Sequence, residues 1–339
     1  MPYAARSARR VEGVRMSVYS TPMRLLFTEC KQDDAEFFHR AFPDCDVVTT
    51  AETLARVPDI GGVEVLSVQV HSNVGSAEME RMPKLRLIVT RSTGTDHIDL
   101  DAAAQRGIEV HNIPDYGAQT VAEHTLLLLL AVARRLHEAI AVTRAGRFDL
   151  SGLLGSDLAG KTAVVVGVGM IGERFARMAQ AIGMRVLGVD PVERAEVGIE
   201  YLPLPDALPQ ADALVLCCPL VEETRYLIDT SAFEKLKRGA LLVNTARGAI
   251  VHAPALLRAL DEGVVAGAGL DVLEHEATLR GNVAPQPHEE EMLIAGLALM
   301  SHPRVIVTPH MAFYTREALL RMRDATVSLI TDHLSRVRA

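Results

Sequence analysis

The sequence predicts an α/β protein of two domains, each built on a parallel β-sheet, and three observations lead to that prediction. The first is length, because 339 residues are enough for about two domains that each bury a core. The second is the alternation of short apolar runs with amphipathic stretches along most of the chain. The third is a glycine-rich strand-turn-helix unit near the middle of the chain.

The first α/β region begins at residue 23. Its apolar runs predict strands, and the amphipathic stretches between them predict helices. The predicted strands are 23–28, 46–50, 63–70, 85–90 and 108–110, and the predicted helices are 33–41, 77–81 and 99–106. Residues 1–22 hold four arginines against one acid, so we expect a disordered or mis-assigned N-terminal extension, although such a leader is also typical of an organelle transit peptide.

A long apolar helix is predicted next, from Gly117 to about Ala141, with six apolar residues (126–131) at its centre. At about 1.5 Å per residue it would exceed ~30 Å, enough to bridge two domains or a subunit interface. Its apolar run is far shorter than the ~20 residues that a membrane span requires. The sequence therefore predicts no membrane partner.

The glycine-rich unit predicts a dinucleotide-binding site. Residues 164–166 form a β-branched run typical of a buried parallel strand. Gly167, Gly169 and Gly172 follow as G-x-G-x-x-G, which allows a tight turn, close approach of a pyrophosphate and close packing of the helix 171–181. The phosphates would lie at the N-terminus of this helix, where free N–H groups favour negative charge.

An acidic residue at the end of the next strand selects the cofactor. The strand 185–189 leads to Asp190, which follows Gly172 at nearly the ~20-residue interval typical of a carboxylate that accepts from an adenosine ribose hydroxyl. A 2′-phosphate would be repelled there, so NAD is favoured over NADP, although Arg194 leaves some room for NADP.

The same alternation continues to the C-terminus. The predicted strands are 213–217, 240–244, 265–270 and 305–308, and the predicted helices are 231–236 and 253–260. A final helix, 315–334, is expected to fold back onto the first domain.

Charge and cysteine content exclude other classes of function. The net charge of −8 argues against nucleic-acid binding, which requires a basic surface. The four cysteines show no metal-ligand spacing, so no metal site is expected. They are predicted to be core thiols in a reducing cytoplasm.

Three polar residues follow predicted strands at the carboxyl edge of the second sheet, where open α/β folds bind ligands. Arg247 could grip a carboxylate through two hydrogen bonds, or form an ordinary surface ion pair. His310 is a natural proton donor or acceptor near neutral pH, or a hydrogen-bonded structural histidine. Glu276 could orient that histidine and stabilise its charged form, or be an ordinary loop acid.

Four motifs in this order identify a family resemblance: G-V-G-M-I-G, N-T-A-R-G, G-L-D-V-L-E-H-E and T-P-H. Together they resemble the D-isomer-specific 2-hydroxyacid dehydrogenase family. R-S-T-G-T-D-H-I-D, N-I-P-D-Y-G and T-V-A-E-H extend the match upstream, and the aromatic residues after His310 are similar to those of the D-lactate dehydrogenase branch.

The resemblance implies an inserted-domain architecture with two Rossmann-like domains. A flavodoxin-like substrate-binding domain would comprise residues 23–112 and 310–339, and an NAD-binding Rossmann domain would comprise residues 113–309. It also implies a homodimer, which no residue pattern establishes independently.

The resemblance assigns roles to individual residues. Arg247 would anchor the substrate, His310 would be the acid/base, and Glu276 would pair with His310. Asp271 would orient the nicotinamide. The expected cofactor contacts are Thr120, Gly167, Gly169, Met170, Ile171, Gly172, Asp190, Cys218, Pro219, Thr224, Thr245, Ala246 and Asp271. The expected substrate contacts are Ser92, Thr93, Gly94, Tyr116, Arg247 and Phe313.

The implied activity is NAD-dependent, reversible reduction of a small 2-keto acid, with pyruvate to D-lactate as the first choice. Reduction of glyoxylate or hydroxypyruvate, phosphite or phosphoglycerate chemistry, and a dinucleotide-sensing corepressor without turnover stay open. The segment 277–301 departs from many relatives, which have proline where Ala277 stands. It is expected to be a lid beside the active site, a docking helix or a solvated loop.

Overall fold

The computed structural model describes residues 22–279, 281, 284 and 286–338, so the predicted extension up to residue 21 lies outside the described residues. The strands are β1 Arg24–Phe27, β2 Asp46–Thr49, β3 Val65–Val68, β4 Leu87–Thr90, β5 Glu109–His111, β6 Thr162–Val166, β7 Arg185–Val189, β8 Glu200–Tyr201, β9 Ala213–Leu216, β10 Ala240–Asn244, β11 Val265–Leu270 and β12 Val305–Val307.

The helices alternate with these strands. They are α1 Gln32–Ala41, α2 Ser76–Glu80, α3 Leu100–Gln105, α4 Ala118–Ala133, α5 Leu136–Arg144, α6 Met170–Ala181, α7 Leu204–Ala207, α8 Thr230–Lys235, α9 Ala253–Asp261, α10 Glu276–Leu279, α11 Glu290–Ser301 and α12 Arg316–Arg338. Among the described residues, none of the helices is both long and apolar enough to cross a membrane.

The first sheet has the order β2-β1-β3-β4-β5, with every pair parallel. This is the flavodoxin-like order. All four residues of β3 and of β4 are buried, as expected for strands covered on both faces. The C-terminal helix α12 covers one face, where Ile330 and Leu334 pack in one cluster with Phe27 and Phe38.

The second sheet has the order β12-β11-β10-β9-β6-β7-β8 and is also parallel throughout. The strand order reverses between β6 and β9, as in the doubly wound dinucleotide-binding fold. Two large apolar clusters cover its faces. The predicted α/β class with two Rossmann-like parallel sheets is therefore confirmed.

The prediction of one continuous helix from Gly117 to Ala141 is wrong. The chain leaves the helical conformation at Arg135, whose φ of 49° and ψ of 41° are left-handed, so α4 and α5 are separate helices. A later segment caps the C-terminal end of α4, since the Ser156 amide donates to the Ala133 carbonyl at 2.9 Å. Apolar periodicity carries no trace of this long-range cap.

The segment 277–301 contains a packed helix rather than a solvated loop. Ala295 and Leu299 on α11 join the apolar cluster that also holds Leu256 of α9 and Val305 of β12. Residues 280, 282, 283 and 285 lie outside the described residues. The expectation of a lid over the active site stays a prediction.

Candidate active site

The centre of the site is a hydrogen-bonded pair of side chains, His310 and Glu276. Glu276 begins α10, and His310 follows β12 with a left-handed φ of 53°. The His310 Nδ1 lies 2.8 Å from the Glu276 Oε2, and the two side chains are 19% and 22% exposed. A carboxylate on Nδ1 stabilises the charged imidazolium and leaves Nε2 to exchange a proton with a ligand.

The buried carboxylate of Asp271 holds the loop that carries His310. It is 1% exposed and accepts from the Thr308 hydroxyl at 2.5 Å and from the Met311 and Ala312 amides at 2.9 Å each. The His124 Nε2 lies 3.1 Å from the same hydroxyl. These contacts maintain the uncommon backbone conformation at His310. The role predicted for Asp271 at the nicotinamide stays a prediction.

Arg247 reaches across the cleft from the end of β10 to the loop after β4. Its Nε donates to the Asp96 Oδ2 at 2.6 Å, and its Nη1 donates to the Ala246 carbonyl at 2.8 Å. Its Nη2 lies where a Cβ on Gly94 would stand, 2.0 Å from the ideal position of that atom. Glycine at position 94 therefore allows the guanidinium to approach the backbone closely.

The loop after β4 is fixed by a chain of short hydrogen bonds. The Thr90 hydroxyl lies 2.6 Å from the Ser92 hydroxyl and 2.9 Å from the His97 Nε2, and the Ser92 hydroxyl also lies 2.6 Å from the Gly94 carbonyl. Burial lowers the pKa of His97 and favours its neutral form. Hydrogen bonds within the loop thus hold Ser92 and Gly94 in place.

A cavity of about 80 Å³ lies between these groups. Tyr116 and Phe313 form an edge-to-face pair with ring centroids 6.2 Å apart, and burial raises the pKa of Tyr116 to about 12. The cavity brings together these residues from the predicted catalytic, substrate and cofactor sets: Ser92, Thr93, Gly94, Tyr116, Ile171, Thr245, Arg247, Asp271, His310 and Phe313.

The glycine loop fits a dinucleotide. A Cβ on Gly172 would lie 2.1 Å from the Gly167 carbonyl, and one on Gly167 would lie 2.5 Å from the Cys218 amide, so both glycines are required by packing. A Cβ on Gly169 would meet nothing within 4 Å. This open side of the loop, before the N-terminus of α6, has the shape that a pyrophosphate needs.

Asp190 supports the same loop. Its Oδ2 accepts from the Val168 amide at 2.7 Å, and its Oδ1 accepts from the Val192 amide at 2.8 Å. Each carboxylate oxygen has a second lone pair, so ribose hydroxyls can still donate to it. Asp190 therefore both orders the glycine loop and offers acceptors at the end of β7.

Other predicted cofactor residues are engaged within the protein. The Thr224 hydroxyl donates to the Pro219 carbonyl at 2.7 Å and closes its own turn. Thr120 is buried on α4, where the Arg321 Nη2 lies 3.3 Å from its hydroxyl. Cys218 is buried beside Gly167, and burial raises its pKa to about 11.

Sequence reasoning missed Asp96 and His124. Both stand inside quoted motifs, R-S-T-G-T-D-H-I-D and T-V-A-E-H. Their partners, Arg247 and Thr308, lie 151 and 184 residues away in the chain. The only sequence signal was a polar side chain within each motif, the carboxylate of Asp96 and the imidazole of His124. Neither signal identified the residue that the side chain contacts.

Comparisons with known proteins find similar sequences over most of the chain. The family model described as "D-isomer specific 2-hydroxyacid dehydrogenase, NAD binding domain" matches residues 126–312. The chain is 34% identical to D-lactate dehydrogenase of Escherichia coli over 80% of this chain and 83% of that protein. It is 36% identical to glyoxylate reductase of Pyrococcus furiosus over 80% and 78% of the two chains.

A solved structure gives a close match over most of the chain. D-lactate dehydrogenase of Aquifex aeolicus, complexed with NAD and lactic acid, superimposes with a TM-score of 0.86 at 34% identity. The match covers 92% of this chain and 95% of that one.

Proposed function

The chain belongs to the D-isomer-specific 2-hydroxyacid dehydrogenase family, and we propose that it uses NADH to reduce a small 2-keto acid reversibly to the D-2-hydroxy acid, with pyruvate as the first candidate. It is an oxidoreductase of CH–OH groups. The proposal is carried by the His310–Glu276 pair at 2.8 Å, which lines one cleft together with Arg247.

Substrate binding and proton transfer are assigned to different residues of the site. The Arg247 guanidinium binds the substrate carboxylate, together with the backbone of Ser92, Thr93 and Gly94. The chemistry that the dinucleotide supplies when bound is a hydride for the carbonyl carbon. His310 gives its proton to the carbonyl oxygen, which becomes the hydroxyl, and Glu276 stabilises the imidazolium before the transfer.

The walls of the 80 Å³ cavity favour a short substrate. Tyr116, Ala312 and Phe313 present mainly apolar surface to it, which suits a methyl group better than a second charged group. The lactic acid in the A. aeolicus complex supports the same choice. The glyoxylate reductases among the relatives make glyoxylate the second candidate.

We further propose NAD rather than NADP as the cofactor and the cytoplasm as the location. Asp190 directly follows β7 and would repel a 2′-phosphate. All four cysteines are free thiols, which suits a reducing compartment.

A homodimer is proposed because large apolar side chains on α4, on α5 and in the loop after α5 are exposed. Leu127 and Leu130 on α4 and Ile140 on α5 are solvent-accessible, and Phe148 in the loop after α5 is fully exposed. A second copy of the chain is the occupant that would bury this surface. Phe148→Asp should shift the mass measured by light scattering toward the monomer, and an unchanged mass would refute this interface.

The function is tested by initial rates of NADH oxidation with pyruvate, glyoxylate, hydroxypyruvate, 2-ketobutyrate and phenylpyruvate, repeated with NADPH. We expect fastest turnover of pyruvate to the D enantiomer. His310→Ala should lower kcat by ~10²-fold or more, because proton transfer is lost. His111→Ala, on the exposed edge strand β5, is the matched control and should keep the wild-type rate. Turnover of none of these acids would refute the proposal.

A further inference from the structure

Asp96 and Arg247 form a short ion pair that bridges the two sheets. Asp96 lies in the loop between β4 and α3, and Arg247 follows β10, yet Nε and Oδ2 are only 2.6 Å apart. The side chains are 37% and 29% exposed, so water does not fully screen the pair. A charge-assisted hydrogen bond of this length fixes the direction of the guanidinium plane.

Two of the five N–H groups of Arg247 donate to acceptors within the protein. Nε donates to Asp96, and Nη1 donates to the Ala246 carbonyl. The Nη2 group is thereby held over Gly94, which lines the same cavity as Arg247 and His310. A carboxylate bound in this cavity would therefore lie beside the Nη2 group and the Gly94 backbone.

We propose that Asp96 is a positioning residue for the keto-acid anchor: it orients the Arg247 guanidinium so that Nη2 faces the substrate carboxylate. This inference rests on the proposed function of Arg247. Asp96 does not compete with the substrate, because it accepts only from Nε and leaves the end-on edge of the guanidinium, formed by Nη1 and Nη2, to the ligand.

The position of Asp96 is itself fixed. Thr90, Ser92 and His97 brace the loop on which it stands, and Asn112 donates to the Thr93 carbonyl at 2.6 Å. Because the loop belongs to the first sheet and Arg247 follows a strand of the second, this contact orients the guanidinium from across the cleft.

The test compares three variants of the full-length protein: Asp96→Ala, Asp96→Asn and the control Asp99→Ala. Asp99 stands in the same loop, and its carboxylate caps α3 by accepting from the Ala102 amide. The measurements are kcat and KM for pyruvate, KM for NADH, and the Kd of oxamate for the NADH complex from NADH fluorescence.

Asp96→Ala should raise the pyruvate KM and the oxamate Kd about tenfold or more, since the orienting charged hydrogen bond is lost. The KM for NADH should stay within about twofold, because the glycine loop is untouched. Asp96→Asn keeps an acceptor for Nε and should recover part of the loss. Asp99→Ala should resemble the wild type.

A lower pyruvate KM in Asp96→Ala would show that Asp96 competes with the substrate and would overturn the inference. An unchanged pyruvate KM and oxamate Kd in Asp96→Ala would also overturn the inference. The proposed function would still stand in that case if the wild-type protein reduced pyruvate. A wild-type protein that neither reduces any keto acid nor binds oxamate would refute both.

Discussion

Replacement of Asp271 by asparagine should damage the active site through the His310 loop. The carboxylate accepts from the Thr308 hydroxyl and the Met311 amide on Oδ1 and from the Ala312 amide on Oδ2. Asparagine has only one acceptor oxygen, so at least one buried donor faces an NH₂ group. A buried unsatisfied group costs about 1–3 kcal/mol. The left-handed conformation at His310 would then relax, which we expect to reduce kcat by about 10- to 100-fold.

The assay pairs kcat for keto-acid reduction at saturating NADH with the free energy of unfolding from denaturant titration. Thr308→Val is the control, since it removes one donor and keeps both backbone donors, and it should lower kcat less than about tenfold. Wild-type kcat and unaltered unfolding in Asp271→Asn would refute the loop argument. A raised KM for NADH with normal unfolding would instead place Asp271 at the nicotinamide.

Three further predictions follow from the glycine loop and from two buried groups. Gly169→Ala should keep the thermal midpoint of unfolding and raise the KM for NADH. Gly172→Ala should lower the thermal midpoint by several degrees, since its Cβ would lie 2.1 Å from the Gly167 carbonyl. Equal midpoints in the two variants would contradict this. Tyr116→Phe should leave the alkaline limb of the pH–rate profile below pH 10 unmoved, because burial raises the pKa of Tyr116 to about 12; a shifted limb would count against that burial. Burial lowers the folded-state pKa of His97 below the ~6.5 of an unfolded chain, so stability present above pH 6.5 is lost as the pH falls through 6.5 toward the folded value. Denaturant titrations at pH 7 and pH 5 should show a smaller loss in His97→Gln than in the wild type.

The fold was largely predictable because its signals are local. Apolar runs and glycines placed most strands of both sheets within about two residues, and the glycine loop defined its own βαβ unit. The break at Arg135 was not predictable, since it depends on Ser156 capping a helix end twenty-three residues earlier. The two-residue strand β8 carries too few residues for a periodic pattern.

The sequence predicted only those site residues that stand in a recognisable motif after a strand. Arg247, Glu276 and His310 each follow a strand of one sheet, so their convergence follows from parallel topology. The Asp96 contact to Arg247 joins two separate sheets, and no periodic pattern encodes the approach of one sheet to the other. The same holds for His124, which reaches Thr308 from the first turns of α4.

The return of α12 to the first sheet determines the order in which the protein can mature during translation. Phe27, Val65 and Leu87 share an apolar cluster with Ile330 and Leu334 of the last helix. About 200 residues are synthesised between β5 and α12, which takes on the order of 10–40 s at ~5–20 residues per second. The second sheet is contiguous in the chain and can close during that interval. One apolar face of the nascent first sheet stays exposed until α12 has been synthesised, so chains that end before α12 should be retained by chaperones.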